Sequence, residues 1–250
     1  MTIGVGYFSN PRIILGCDME ITGVAKYTGN KDNYKWFDNE NGVIASVYSG
    51  KEDDIRNVWE HLAEKIQERN DNGDTLGVKG VRTILEESLD AAKSKDFRML
   101  IGITKHGDTP SYLRVTYRTP APAQNWEIIG GGDVELSRYL VDLMNHPMLT
   151  AEQAILWGLH IIKTASSYVQ GVGHGIKMNV IEEGRVYGFG PDLFLTQLRT
   201  FEDYIAGLWS DFCNLSLSES EFKLSVDAFR IGTLALKEKL PRKISFFTEV

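Results

Sequence analysis

Cysteine is scarce in this chain, with two among 250 residues, Cys17 and Cys213. That excludes a disulfide framework. No charged-then-apolar leader precedes the first apolar segment, so a reducing, cytoplasmic setting is expected. No apolar run approaches the roughly 18 residues that a membrane span needs. Basic charge is also short: the net charge is -7, with no basic stripe to neutralise phosphates, so nucleic acid is not an expected partner. The five histidines lack metal-ligand spacing. Gly130-Gly131-Gly132 lacks the full glycine fingerprint and the βαβ setting of a dinucleotide site. No cofactor and no metal are therefore expected. What remains is 42% hydrophobic and 24% charged, an ordinary globular composition with enough length for one large core.

Alternation and β-rich composition predict strands at 3–8, 13–17, 34–37, 43–48, 99–103, 112–117, 126–129, 176–181 and 185–189. The last two are joined by Glu183-Gly184 as a two-residue turn. Helical periodicity marks 52–69, through Ile55, Val58, Trp59, Leu62 and Ile66, and 78–95, through Val81, Ile84, Leu85 and Leu89. Further helices are expected at 133–144 and from Thr150, which with Gln153 forms a capping box, to Tyr168. Pro120 and Pro122 read as a bridge. Strands joined mainly by hairpin-like turns argue for antiparallel sheets with helices on their outer faces, an α+β four-layer αββα sandwich. Residues 1–190 form that domain. Residues 191–250 read as a helical extension packed on it, with one stripe through Leu195, Leu198, Phe201, Ile205, Leu208 and Trp209. A second runs through Phe222, Val226, Phe229 and Leu236.

Chemistry concentrates at the start. Removal of Met1 would leave Thr2 with a hydroxyl and a free amine, whose ordinary pKa is roughly 7.7–8.0. One residue would then hold both nucleophile and base. The turn Ser9-Asn10-Pro11 returns the chain so that Asp18, sixteen residues on, comes back beside Thr2. The segment Asp18-Met19-Glu20-Ile21-Thr22, the stretch Tyr34-Lys35-Trp36-Phe37, the strand ending at Gly50 and the run Ile128-Ile129-Gly130-Gly131-Gly132 follow in order. That ordered set resembles a proteasome β-type subunit of the N-terminal nucleophile (Ntn) hydrolase superfamily, over about residues 2–190.

The resemblance implies a threonine peptidase subunit of a self-compartmentalising assembly. Thr2 would attack a peptide carbonyl, and its amine would carry the proton. Lys35 would stabilise charge near the Thr2 oxygen, Asp18 would hold Lys35, and the Gly50 N–H would face the oxyanion. Thr22 would pair with the substrate backbone, and Tyr48 would stand near the specificity pocket. Implied partners are further copies of the chain in a homo-oligomeric ring or stacked rings, a peptide or unfolded-protein substrate and an ATP-dependent unfoldase. The chain departs from the family pattern at Glu20, where a basic residue is usual, at Gly131, where serine is usual, and at Tyr168 and Gly171, where aspartate and serine are usual. Two alternatives follow: a catalytically inactive structural subunit, and an amidase for small amides using the same nucleophile.

Overall fold

The computed structural model describes the chain apart from residues 1–2, 22–26, 29–31, 39–40, 93–95, 124, 131–148, 169–174, 190–191, 215, 240–246 and 249–250. Thr2, Thr22, Gly131, Gly171 and the helix expected at 133–144 therefore lie outside the described residues. Backbone packing divides the chain into two compact units, residues 1–189 with 246–250, and residues 190–245.

In the first unit, strands β1 (Ile3–Ser9) and β2 (Arg12–Asp18) form the expected hairpin. They sit in a six-stranded antiparallel sheet with β10 (Trp126–Gly130), β11 (Ile176–Glu182), β12 (Arg185–Phe189) and β13 (Phe247–Thr248), in the order β10-β1-β2-β11-β12-β13. Strands β5 (Asp32–Trp36), β6 (Gly42–Gly50), β7 (Phe97–Lys105), β8 (Ser111–Thr116) and β9 (Thr119–Pro122) make a second antiparallel sheet in sequence order. A two-strand ribbon joins β3 (Glu20–Ile21) to β4 (Tyr27–Thr28). The proline-rich stretch read as a bridge is thus strand β9. Its prolines, opposite Val115 and Leu113, are tolerated because β9 is an edge strand and needs no outward N–H donors. The Glu183-Gly184 turn is as expected, with φ of 49° and 75°, the left-handed pair that suits strand twist.

The two sheets pack face to face. Ile13, Leu15 and Cys17 of β2 share one core with Val43, Ala45 and Val47 of β6, Leu100, Tyr112 and Ile181. Helices α1 (Glu52–Asp71) and α2 (Val78–Ser88) cover the outer face of the second sheet. Their Ile55, Leu62, Val81 and Leu85 join Ile44, Met99, Ile101 and Val115 in a second core. Helix α3 (Ala151–Tyr168) lies on β1, β2 and β11, outside the first sheet. The expected capping box starts it: the Thr150 N–H donates to Gln153 Oε1 at 2.9 Å, and the Gln153 N–H donates to Thr150 Oγ1 at 3.3 Å. The layers are therefore α/β/β/α. The expected 78–95 helix instead ends at Ser88 and tightens into a 3₁₀ turn over Leu89–Ala91.

Tyr112 brings a polar group into the inter-sheet core. Its buried hydroxyl meets no hydrogen-bond partner and faces Gly6. Burial, with the nearby Glu127 carboxylate, pushes the phenol well above its usual range, while Arg114 opposes the shift.

The second unit is a helical hairpin of α4 (Asp192–Cys213) and α5 (Glu219–Lys239). Phe201 meets Phe229 and Phe212 meets Phe222, at ring-centroid distances of 6.3 and 6.0 Å, so the helices run antiparallel. Ser218 and Glu221 form a capping box at the start of α5. The Ser218 hydroxyl and N–H hold the Glu221 carboxyl below its usual range. Among the described residues no helix is long and apolar enough to cross a membrane.

The sheets approach closely at Gly102 on β7, where an added Cβ would stand 3.0 Å from both Ile13 Cγ2 and Ile181 Cδ1 of the opposite sheet. Gly102→Val is expected to lower unfolding free energy by about 1–3 kcal/mol through overpacking. Urea denaturation measures it, and an unchanged midpoint would show that the sheets can separate there freely.

Candidate functional site

Asp18 ends β2 and is fully buried, at 0% exposure. A carboxylate out of water needs hydrogen bonds to replace hydration. The backbone N–H of Ile3 donates to Asp18 Oδ1 at 2.9 Å. Ile3 also stands opposite Gly130 in the β1–β10 register, and Ile176 of β11 stands opposite Asp18. The residue that follows Thr2 is thus fixed from both sides, by β10 and by the Asp18 carboxylate. The hairpin thus brings Asp18 back to Ile3.

Gly50 ends β6 opposite Phe97. Its φ of 126° is a backbone state that L side chains rarely adopt, and a Cβ would collide with the Asp96 carbonyl oxygen and stand 2.6 Å from Phe97 Cα. Only glycine fits this close crossing of backbones. A cavity of about 280 Å³ opens here, lined by Ser49, Gly50, Lys51, Asp96, Phe97, Arg98, Tyr117 and Gly130. Gly50 and Gly130, far apart in sequence, therefore line one cavity, and Gly130 pairs with Ile3.

Arg98 makes that junction. It stands opposite Ser49 on the second sheet, and its Nη1 donates to the Gly130 carbonyl oxygen of the first sheet at 3.0 Å. Sequence reasoning missed Arg98. The available signal was a cation inside the apolar strand Phe97-Arg98-Met99-Leu100. The lining combines Lys51 and Arg98 with Asp96 and the largely exposed Tyr117 ring. It offers donors, an acceptor and apolar surface to a ligand.

Lys35 and Tyr48 lie elsewhere. Tyr34 and Trp36 pack against the inter-sheet core, and Tyr34 stands opposite Ala45 and Trp36 opposite Val43. Strand side chains alternate faces. Lys35, opposite Ile44, consequently belongs to the face that α1 and α2 cover, because Ile44 is part of the helix-facing core. Tyr48 is a member of that same core, and its neighbour Ser49 lines the cavity instead. Both residues are half-buried or buried on the helix side of the second sheet, whereas Asp18 belongs to the first sheet. Tyr168, where the family pattern has aspartate, ends α3 at 78% exposure.

Two facing antiparallel sheets between helix layers, with Ile3 of the first strand held by a buried aspartate, define a four-layer α+β sandwich. Solved structures of Anbu proteins share this fold. A Gly-1 mutant of Anbu from Hyphomicrobium sp. strain MC1 superposes with a TM-score of 0.71 at 13% identity, over 88% of this chain and 99% of that one. Anbu from Yersinia bercovieri, described as an ancestral beta-subunit, gives 0.68 at 12%, over 87% of this chain and 100% of that one. The Anbu complex of Pseudomonas aeruginosa, solved as a helical assembly, gives 0.66 at 14%, over 88% and 99%. At such identities the likeness is one of fold. No protein-family profile matches the chain, and no curated protein matches it by sequence.

Replacing the buried acceptor tests its structural weight. Asp18→Ala leaves the Ile3 N–H without this partner and is expected to lower stability by about 1–3 kcal/mol. Asp18→Asn keeps an acceptor of similar shape and should lose less. Chemical denaturation of the two variants gives the comparison, and equal losses would count against the hydrogen bond as the cause.

Proposed function

We propose that this chain is a threonine-type N-terminal nucleophile hydrolase, a peptidase subunit that works in a self-compartmentalising assembly of its own copies. The observation that carries the reading is the Asp18–Ile3 hydrogen bond, made by a residue that also stands opposite Gly130, which with Gly50 lines the cavity. The proteasome-like fold supports it, as does the helical assembly of the Pseudomonas aeruginosa Anbu complex. An ATP-driven unfoldase as substrate source rests on the family resemblance alone.

In this reading Met1 is removed and the Thr2 amine becomes free. The amine takes the proton from the Thr2 hydroxyl as its oxygen attacks the carbonyl carbon of a peptide bond. The carbonyl oxygen becomes an oxyanion facing the Gly50 N–H, and one such donor is typically worth about 2.7–4 kcal/mol in the transition state. The proton passes to the leaving amine as the C–N bond breaks, leaving an ester on Thr2. Water, deprotonated by the Thr2 amine, then hydrolyses the ester. Asp18 holds the strand that carries Thr2, Thr22 supplies backbone pairing for the substrate, and Ser49 and Arg98 line the cavity where Tyr48 does not.

A cation near the Thr2 oxygen is the part of the proposal that the register strains. Lys35 is its candidate by sequence position, yet it lies on the helix-covered face. The off-pattern Glu20, Gly131 and Gly171, with Tyr168 exposed, favour the second reading, an inactive subunit that keeps the fold for assembly.

Intact-mass measurement of native protein should show Met1 removed, and a threonine-directed electrophile should add one label per chain at Thr2. Thr2→Ala should abolish labelling and reduce peptide hydrolysis at least about a thousandfold. Lys35→Met reports on the cation: hydrolysis lost without loss of fold would put its ammonium at the site, and full activity would assign the charge to another residue. Met1-processed protein that neither labels nor cleaves peptides or small amides would leave the structural-subunit reading standing.

A further inference from the structure

The cavity beside Gly50 holds a cation that no acid answers. Arg98 is half-buried, and among the described residues its guanidinium enters no ion pair. Its Nη1 donates to the Gly130 carbonyl oxygen at 3.0 Å, a neutral partner that leaves the charge unmatched. A guanidinium stays protonated throughout the pH range in which proteins fold. Partial burial strengthens its attraction for an anion, and its planar fork matches the two oxygens of a carboxylate.

Neighbouring carboxylates are committed elsewhere. Asp18 accepts the Ile3 N–H, Glu127 holds Arg114 at 3.0 Å, and Asp53 pairs with Arg56 on α1. Asp96 is in the cavity lining, but it is exposed and has a partner of its own. Lys51, also exposed in the lining, has no ion-pair partner among the described residues. The lining thus carries more positive than negative charge, in a chain whose net charge is -7.

The same cavity has a strained aromatic neighbour. Strand β8 turns into β9 through Tyr117 and Arg118, between the paired Thr116 and Thr119. Both turn residues have positive φ, 53° and 64°. Asn and Gly enter such a turn freely, whereas bulky side chains do so under strain, which tends to persist where it positions a functional group. Here it holds the Tyr117 ring in the lining at 61% exposure, open to a ligand rather than packed in the core. An anion on an apolar stem suits both groups: the carboxylate meets Arg98 and the stem meets the ring.

We infer that this cavity selects peptides that bring a carboxylate to Arg98, with Tyr117 packing on the adjoining stem. The carboxylate is that of an acidic side chain or of the peptide's own C-terminus. The inference rests on the reading of this cavity as the substrate site and gives that site a substrate class.

The test uses the full chain carrying Thr2→Ala, so that binding is read without hydrolysis. Probes are rhodamine-labelled alanine–glycine octapeptides followed by fluorescence anisotropy. One has a central glutamate and an amidated C-terminus, one has glutamine in its place, and one is the glutamine peptide with a free C-terminal carboxylate. A carboxylate peptide should bind about tenfold more tightly than the neutral one, and whichever does so names the source of the carboxylate. Raising the salt concentration should shrink that difference with the cavity unaltered. Arg98→Gln, which keeps an N–H donor for the Gly130 carbonyl, should remove the difference with the thermal midpoint little changed. Tyr117→Asn, better suited to the turn, should raise the thermal midpoint and weaken the preferred peptide about threefold. Equal binding of charged and neutral peptides, a preference indifferent to salt or surviving Arg98→Gln, or no binding of any probe at millimolar concentration would overturn the inference. Thr2 labelling of the unmodified chain is read separately, so failure of carboxylate selection and failure of the hydrolase reading give different results.

Discussion

The packing of one sheet on the other is the constraint on which the first unit depends. Ile13 and Ile181 of one sheet enter the space that Gly102 leaves on the opposite sheet, and Leu15, Cys17, Val43, Ala45 and Val47 fill the core around them. Close packing of this kind fixes the relative position of the sheets to within fractions of an ångström, because a gap forfeits dispersion and an overlap forces strain. The site lies where the two sheets meet. Arg98 on one sheet reaches the Gly130 carbonyl on the other, and Gly130 is the partner of Ile3. A shift of the sheets would move Ile3 relative to Gly50, so the core and the candidate site are one mechanical system.

Asp18 shows the same coupling in polar form. A carboxyl group at 0% exposure is an expensive choice for stability alone. It is retained where it accepts the N–H next to Thr2, at the end of a strand otherwise filled by Ile13, Ile14, Leu15 and Cys17. Departures from simple apolar patterning tend to fall at functional sites. Arg98, a cation set within an apolar strand, is a second departure of this type and lies within the same small region.

The helical hairpin follows a different logic. An inner seam of aromatic rings joins α4 to α5, while Leu224, Ile231 and Leu234 remain outside that seam. Exposed apolar residues arranged in a repeating stripe signify contact with something else more strongly than scattered ones do.

Local chemistry decided much of this protein in advance. The hairpin of β1 and β2, the Thr150–Gln153 cap, the Glu183-Gly184 turn and the apolar stripes of α1 and α2 each depend on neighbours within a few residues, and each is legible in the chain itself. The return of Asp18 to Ile3 is legible for the same reason, since one hairpin closes it. What the chain alone left undecided is which face a strand residue takes. Strand side chains alternate with period two, so an error of one position exchanges the faces. Position alone assigns Lys35 and Tyr48 to the site, whereas the pairing of Lys35 with Ile44 and of Tyr48 with Met99 sets both on the helix side. Pro120 and Pro122 read as a bridge until β8 made them an edge strand. The meeting of Gly50, Arg98, Gly130 and Ile3 depends on contacts across tens of residues and, for β1 with β10, across more than a hundred. Such contacts are selected by the fit of whole sheets, which only the tertiary structure supplies.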